Sequence, residues 1–157
     1  MTVFRQGMLL VAAALLAGCM EGLRSDSGGK DISEEVAQSV RRASESHTLS
    51  RLAALERSIN DYIQAKGNIP PKLNVLVPDY IAEIPEAELG LAREHTDKNV
   101  ISYYPAGIIS DGQINGALIK DTGGWGYVFN DRQVIVFVDC VHKRMDGSPW
   151  YQARGVF

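Results

Sequence analysis

The stretch 46–71, SHTLSRLAALERSINDYIQAKGNIPP, narrows what this chain can fold into more than any other. Leu49, Leu52, Leu55, Ile59, Tyr62 and Ile63 recur at spacings of three and four, which gathers them on one stripe of a helix. Arg51, Glu56, Arg57, Asn60 and Gln64 fall largely on the other side. Gly67 suits the left-handed position just past a helix C-terminus, and Lys66 complements the negative end of the helix dipole. Pro70 and Pro71 forbid resumption. A stripe of this width needs a cover, and the sequence after Pro71 is the material for it. The whole chain has 157 residues, 45% apolar and 22% charged, which is enough for one globular domain with a tail.

Beyond the prolines, residues 72–77 predict one short helical turn closed by Pro78. Leu73, Leu76, Val77, Tyr80 and Ile81 are expected to pack on the long helix, and 86–99 to form an irregular or partly helical connection stopped at Gly90. From Asn99 the apolar period changes to two. Residues 100–104 predict a strand, 117–119 a short edge strand, and 125–129 a further strand after the Gly123-Gly124 break. A tight turn at Asn130-Asp131-Arg132 leads to the clearest strand, 133–141. There Val134, Val136 and Val138 face one way and Ile135, Phe137 and Asp139 the other. Two apolar faces place it centrally. Residues 149–151 read as a last extended segment. The fold class expected is α+β, a long N-terminal helix packed on a small antiparallel sheet.

The N-terminus carries a different message. Arg5 precedes an apolar run, 8–17, of h-region length and short for a bilayer span. Leu16-Ala17-Gly18-Cys19 resembles the lipobox of bacterial lipoproteins. That resemblance implies a signal peptide at 1–18 and a lipidated Cys19 as the first mature residue, held in the membrane by its acyl chains. Met20, where an aspartate would retain the protein at the inner membrane, implies the outer membrane, facing the periplasm. Residues 19–30 are small, polar and Gly/Ser-rich, a flexible tether. The remaining 31–157 form the domain with a helical stalk at its start, capped by Asp31 or Ser33. Val36, Ala37, Val40 and Ala43 make only a thin apolar face, so this part of the helix is expected to be exposed. If Cys19 is lipidated, Cys140 is the only other cysteine and no internal disulfide forms. A net charge of −3 and the lack of a basic stripe with interleaved aromatics argue against nucleic acid.

Several pieces in order resemble type IV pilins and the major pseudopilin of type II secretion. They are Leu52-Ala53-Ala54-Leu55-Glu56-Arg57-Ser58-Ile59-Asn60-Asp61-Tyr62, Gly67-Asn68-Ile69-Pro70, Leu73-Asn74-Val75-Leu76-Val77-Pro78-Asp79-Tyr80-Ile81, Ile84-Pro85 and Gly123-Gly124-Trp125-Gly126-Tyr127. The resemblance spans about residues 48–141 and implies a pilin-like head, with the helix lying against a small antiparallel sheet. The chain departs from the family at its start. Gly7-Met8 imitates a prepilin cleavage site, but Ala12 stands where the family has glutamate, and the apolar run is too short for the filament-core helix. The pseudopilin calcium loop has no counterpart; Asp139 and Asp146 are too few oxygens for Ca²⁺.

Cys140 and His142 lie at i and i+2 on a strand and can point the same way, which permits metal binding or a Cys/His nucleophile. Two ligands do not make a site, so Cys140 is expected to pack as a small hydrophobe. His47 and His95 read as isolated and exposed. Trp125, Tyr127 and Phe129 read as core, while Tyr103, Tyr104, Trp150 and Tyr151 are candidate surface contacts. No catalytic motif occurs, and no catalytic, cofactor or metal residue is assigned; Cys19 is the one site residue. The expected protein is non-enzymatic, anchored to the membrane by lipid. Its pilin-like head would contact an envelope protein partner, as an accessory to a type II secretion or pilus-like system. Two alternatives stand beside it. One is an envelope hydrolase or metal-binding lipoprotein using Cys140 and His142; the other is a true filament subunit processed at Gly7.

Overall fold

The computed structural model describes residues 28–90, 95 and 99–156. The expected signal segment and Cys19 lie outside the described residues, as does the side chain of Asp31. The chain divides into two units, Met1–Glu35 and Val36–Phe157. In the first, the described residues are helical and Ile32 is exposed. The second holds the fold.

Helix α1 spans Gly28–Lys66, which corrects the expected start: residues 28–30, assigned to the tether, are helical, and Asp31 and Ser33 lie inside the helix and do not cap it. Within the second unit its character changes along its length as the apolar spacing requires. Val36 and Val40 are exposed, whereas Leu52, Leu55 and Ile59 are buried, with Leu49, Tyr62 and Ile63 packed at the margin. Burying the three central side chains contributes roughly 1.5–3 kcal/mol each before entropy is subtracted. The helix ends as its sequence dictates: Gly67 adopts φ 70° and its N–H donates to the Ile63 carbonyl at 2.8 Å. Leu73–Leu76 then forms a 3₁₀ turn with Leu73 and Leu76 buried against the helix.

The cover for the stripe is a four-stranded sheet ordered β1-β4-β5-β6, with β1 at Ile101–Tyr103, β4 at Trp125–Phe129, β5 at Val134–Val138 and β6 at Arg154–Val156. Trp125, Tyr127, Val134, Val136 and Val138 close on Leu52, Leu55 and Ile59 in one core. The other face of β5 is also covered. Ile135 and Phe137 join Val128, Ile108 and Ile114 in a second core, roofed by the small pair β2 (Ile109–Ser110) and β3 (Gln113–Ile114) and by Tyr104 and Tyr151. The central position expected for β5 follows from this double burial.

Polar groups tie the irregular segments to the framework. The buried Thr48 hydroxyl donates to the Glu88 carbonyl at 2.6 Å and accepts the Glu88 N–H at 2.7 Å, so one helix side chain satisfies both backbone groups of a residue that has no strand partner. The Trp125 indole N–H donates to the Pro85 carbonyl and the Tyr127 hydroxyl to that of Pro70, each at 2.6 Å. Glu45 accepts from Arg144 at 3.1 Å and from the Met145 N–H at 3.0 Å, which pins the turn after β5 to the helix.

Several expectations are corrected. The sheet is mixed: β4–β5 and β5–β6 are antiparallel, but β1 runs parallel to β4, because the chain makes a long excursion through 104–124 and returns to the same end. Residues 117–119 are no strand; Asn115 caps a 3₁₀ turn at Gly116–Leu118 by accepting the Ala117 N–H at 3.0 Å. Residues 150–152 likewise curl into a 3₁₀ turn that buries Trp150, so that side chain is core and the pairing strand comes later, at β6. Phe129, expected in the core with Trp125 and Tyr127, is 41% exposed at the strand end. Of the other candidate contacts, Tyr103 is exposed and Tyr104 and Tyr151 are half-buried.

Leu55→Ala removes the middle of the helix stripe from a fully buried site and is expected to cost about 2–5 kcal/mol. Val40→Ala, on the exposed part of the same helix, is expected to stay within about 0.5 kcal/mol. Urea denaturation of the two variants checks the contrast.

Candidate metal centre

The alternation of β5 continues past its end. Cys140 falls on the helix-facing side with Val134, Val136 and Val138 and is fully buried; Asp139 falls on the opposite side and is also fully buried. The Cys140 N–H turns back to the Val138 carbonyl at 2.8 Å, and the Cys140 and His142 carbonyls accept the N–H groups of Tyr151 and Trp150 at 3.0 and 2.9 Å. The Cys-x-His pair is therefore held on both sides by backbone, and its two donor atoms, Sγ and Nδ1, lie 3.4 Å apart.

Two further residues meet them. His95, from the connection between helix and sheet, places Nε2 at 3.3 Å from Cys140 Sγ and 3.2 Å from His142 Nδ1. Asp121 places Oδ1 at 3.5 Å from His95 Nε2 and 3.9 Å from His142 Nδ1. The four donor atoms all lie within 4.8 Å of one another. The His95 side chain is only 8% exposed, which corrects its reading as an isolated surface residue; Asp121 and His142 are about a third exposed, at 32% and 34%. His47 does lie at the surface, with 65% of its side chain exposed, 3.8 Å from Glu88.

Asp139 holds this corner without touching the donors' common centre. Its Oδ1 accepts the Tyr104 hydroxyl at 2.6 Å and the Asp121 N–H at 3.3 Å, and its Oδ2 accepts the Thr122 hydroxyl at 2.7 Å. Its backbone N–H donates to Gly124, and its carbonyl accepts from Gly123 at 2.8 Å. The buried carboxylate thus fixes the 121–124 loop, and the loop sets Asp121 in the left-handed region at φ 58°, where aspartate is tolerated better than most residues. Asp121 Oδ1 also accepts the Val141 N–H at 3.0 Å, which points the carboxylate at Cys140 and His142. Gly123 has φ 78°, and a Cβ there would overlap the His95 imidazole. The glycine thus serves the turn and also the seat of the ring.

Burial pushes the Cys140 thiol up to about 12, with a lowering contribution from the His142 backbone and raising ones from Asp121 and Asp139. Burial likewise pushes Tyr104 up, and the Asp139 carboxylate adds to it. A buried, protonated thiol is a poor nucleophile. A bound divalent cation would reverse the local balance and draw the proton off. Neither oxygen considered for calcium is placed for it: those of Asp139 serve Tyr104, Thr122 and the Asp121 N–H, and Asp146 pairs with Arg144 at 3.0 Å and accepts from Ser148.

Of the four donors, the Cys140–His142 pair carries a local signal in sequence. His95 and Asp121 carry none, since they lie 45 and 19 positions from Cys140 with no ligand-type spacing. Compared with known proteins, the chain matches no family, no curated protein and no solved structure. Among the described residues, no helix is long and apolar enough to cross a membrane.

Gly123→Ala is expected to cost about 1–3 kcal/mol from the clash with His95, on top of the left-handed strain. Gly67→Ala, with φ 70° but open space around the added carbon, is expected to cost the strain alone, about 1–2 kcal/mol. Denaturation midpoints of the two variants read the difference, and the His95 imidazole resonances should move in the first and stay in the second.

Proposed function

We propose that this protein is a lipid-anchored component of the bacterial cell envelope whose pilin-like head works by protein–protein contact, as an accessory to a type II secretion or pilus-like system. The observation that carries the reading is the burial of Leu52, Leu55 and Ile59 by Trp125, Tyr127 and the valines of β5, since that is the packing a pilin head requires. The lipobox ending at Cys19 supports the anchor, and the short apolar run at 8–17 speaks against a filament core. The head would then be a filament-system module carried on lipid instead of on a membrane helix.

Between the two chemistries open to Cys140 and His142, metal holding has the better support. The sulfur is fully buried and turned toward two imidazoles and a carboxylate, a setting suited to a ligand and closed to a substrate carbonyl.

The mass of the mature N-terminus tests the anchor. An acylated Cys19 is expected, and Cys19→Ala should leave the protein unprocessed. A chain beginning at methylated Met8 would instead establish the filament-subunit reading. Crosslinking in the native bacterium tests the contact: secretion or pilus components should be recovered with the wild type and lost with the Cys19→Ala form.

A further inference from the structure

We propose that His95, Asp121, Cys140 and His142 form a four-coordinate Zn²⁺ site that staples the connection after α1 to the end of β5. The inference stands apart from the contact reading above, because it concerns how the head is held together.

Proton bookkeeping is the first argument. A neutral imidazole has one N–H and one acceptor nitrogen, and Nε2 of a given ring can be only one of the two. His95 Nε2 nevertheless faces Cys140 Sγ at 3.3 Å, His142 Nδ1 at 3.2 Å and Asp121 Oδ1 at 3.5 Å. One nitrogen cannot satisfy three such neighbours by hydrogen bonding. A common cation satisfies all of them at once.

The spacing is the second argument. Tetrahedral zinc with bonds of about 2.0–2.1 Å to nitrogen or oxygen and about 2.3 Å to sulfur has donor–donor edges of roughly 3.3–3.6 Å. The separations between donors here are 3.2, 3.3, 3.4, 3.5 and 3.9 Å. Of these five the His142–Asp121 edge is the longest, and it joins the two more exposed side chains, which have the most freedom to close; the remaining edge, Cys140–Asp121, lies within the 4.8 Å that encloses all four donors.

Ligand chemistry selects the ion. A thiolate and two imidazoles disfavour Mg²⁺ and Ca²⁺, which take oxygen donors. A full carboxylate in the fourth place differs from the weak axial ligand of a blue-copper centre. One thiolate and one carboxylate balance the two positive charges, so the occupied site is neutral, which suits the buried position of Cys140 and His95. The surroundings fit a ligand set. The backbone His142 N–H donates to Cys140 Sγ at 3.4 Å, which favours the thiolate, and Asp139, which accepts the Asp121 N–H, and the Val141 N–H orient Asp121. Four protein donors leave no vacant coordination position, so the zinc is structural.

The test uses the full chain purified in detergent, stripped with chelator and then dialysed against zinc in slight molar excess over the chain. About one zinc per chain is expected by elemental analysis in the wild type and in His47→Ala, which alters the surface histidine. Less than about a tenth of that is expected in Cys140→Ser and His95→Ala. Cobalt in place of zinc should give the thiolate charge-transfer absorption and strong visible bands of a tetrahedral centre, absent from Cys140→Ser. Chelator should lower the melting temperature of the wild type and leave that of His95→Ala unchanged. Should His95→Ala not fold, Asp121→Asn serves in its place, with zinc affinity expected to fall at least tenfold. A folded wild type that takes up no zinc overturns the proposal. So does zinc retained in full by both ligand variants, or calcium bound in preference to zinc.

Discussion

The double burial of β5 is the constraint on which the rest of this structure depends. Because successive side chains leave a strand on opposite faces, a strand covered on both sides has no freedom of register. Val134, Val136 and Val138 must meet the helix stripe, and Ile135 and Phe137 must meet the second core. A slip by one residue would put Asp139 among the valines and turn Cys140 toward Tyr104. The apolar packing therefore decides where two polar residues point, although it contributes nothing to their chemistry.

From that register the corner builds outward. Asp139, buried on the second-core side, gathers Tyr104, Thr122 and the Asp121 N–H. An unpaired carboxylate in that position would be costly, so the 121–124 loop is shaped around its oxygens. The loop in turn presents Asp121 on one side and opens the space at Gly123 in which His95 sits. Cys140 and His142 reach the same space directly from the strand. Cys140, His142 and Asp121 are each held by backbone or by Asp139 as well as by one another, which is the condition for a preorganised ligand set.

The helix does two separate jobs along its length. Its buried part is one wall of the main core, and it also supplies side chains to backbone outside the helices and strands: Thr48 to Glu88, Ser58 to the Tyr80 carbonyl, Glu45 to the Met145 N–H. These bonds let the irregular segments lie against the helix without the cost of unmet backbone groups. The exposed residues Val36 and Val40 precede that part, where the apolar stripe thins.

What could be read from the sequence alone is whatever short-range chemistry dictates. The helix stripe and its stop at Gly67, the turn at Leu73–Leu76, the central strand with Val134, Val136 and Val138 on one face, and the Cys140–His142 pairing at i and i+2 all rest on spacings of a few residues. The tertiary structure decided whatever depends on where distant segments meet. It set β1 parallel to β4, curled 116–118 and 150–152 into 3₁₀ turns, and sent Trp150 inward. It also brought His95 and Asp121 to the cysteine. Their donor atoms converge only once the sheet has closed, because a position 45 residues away has no local pattern that records the encounter.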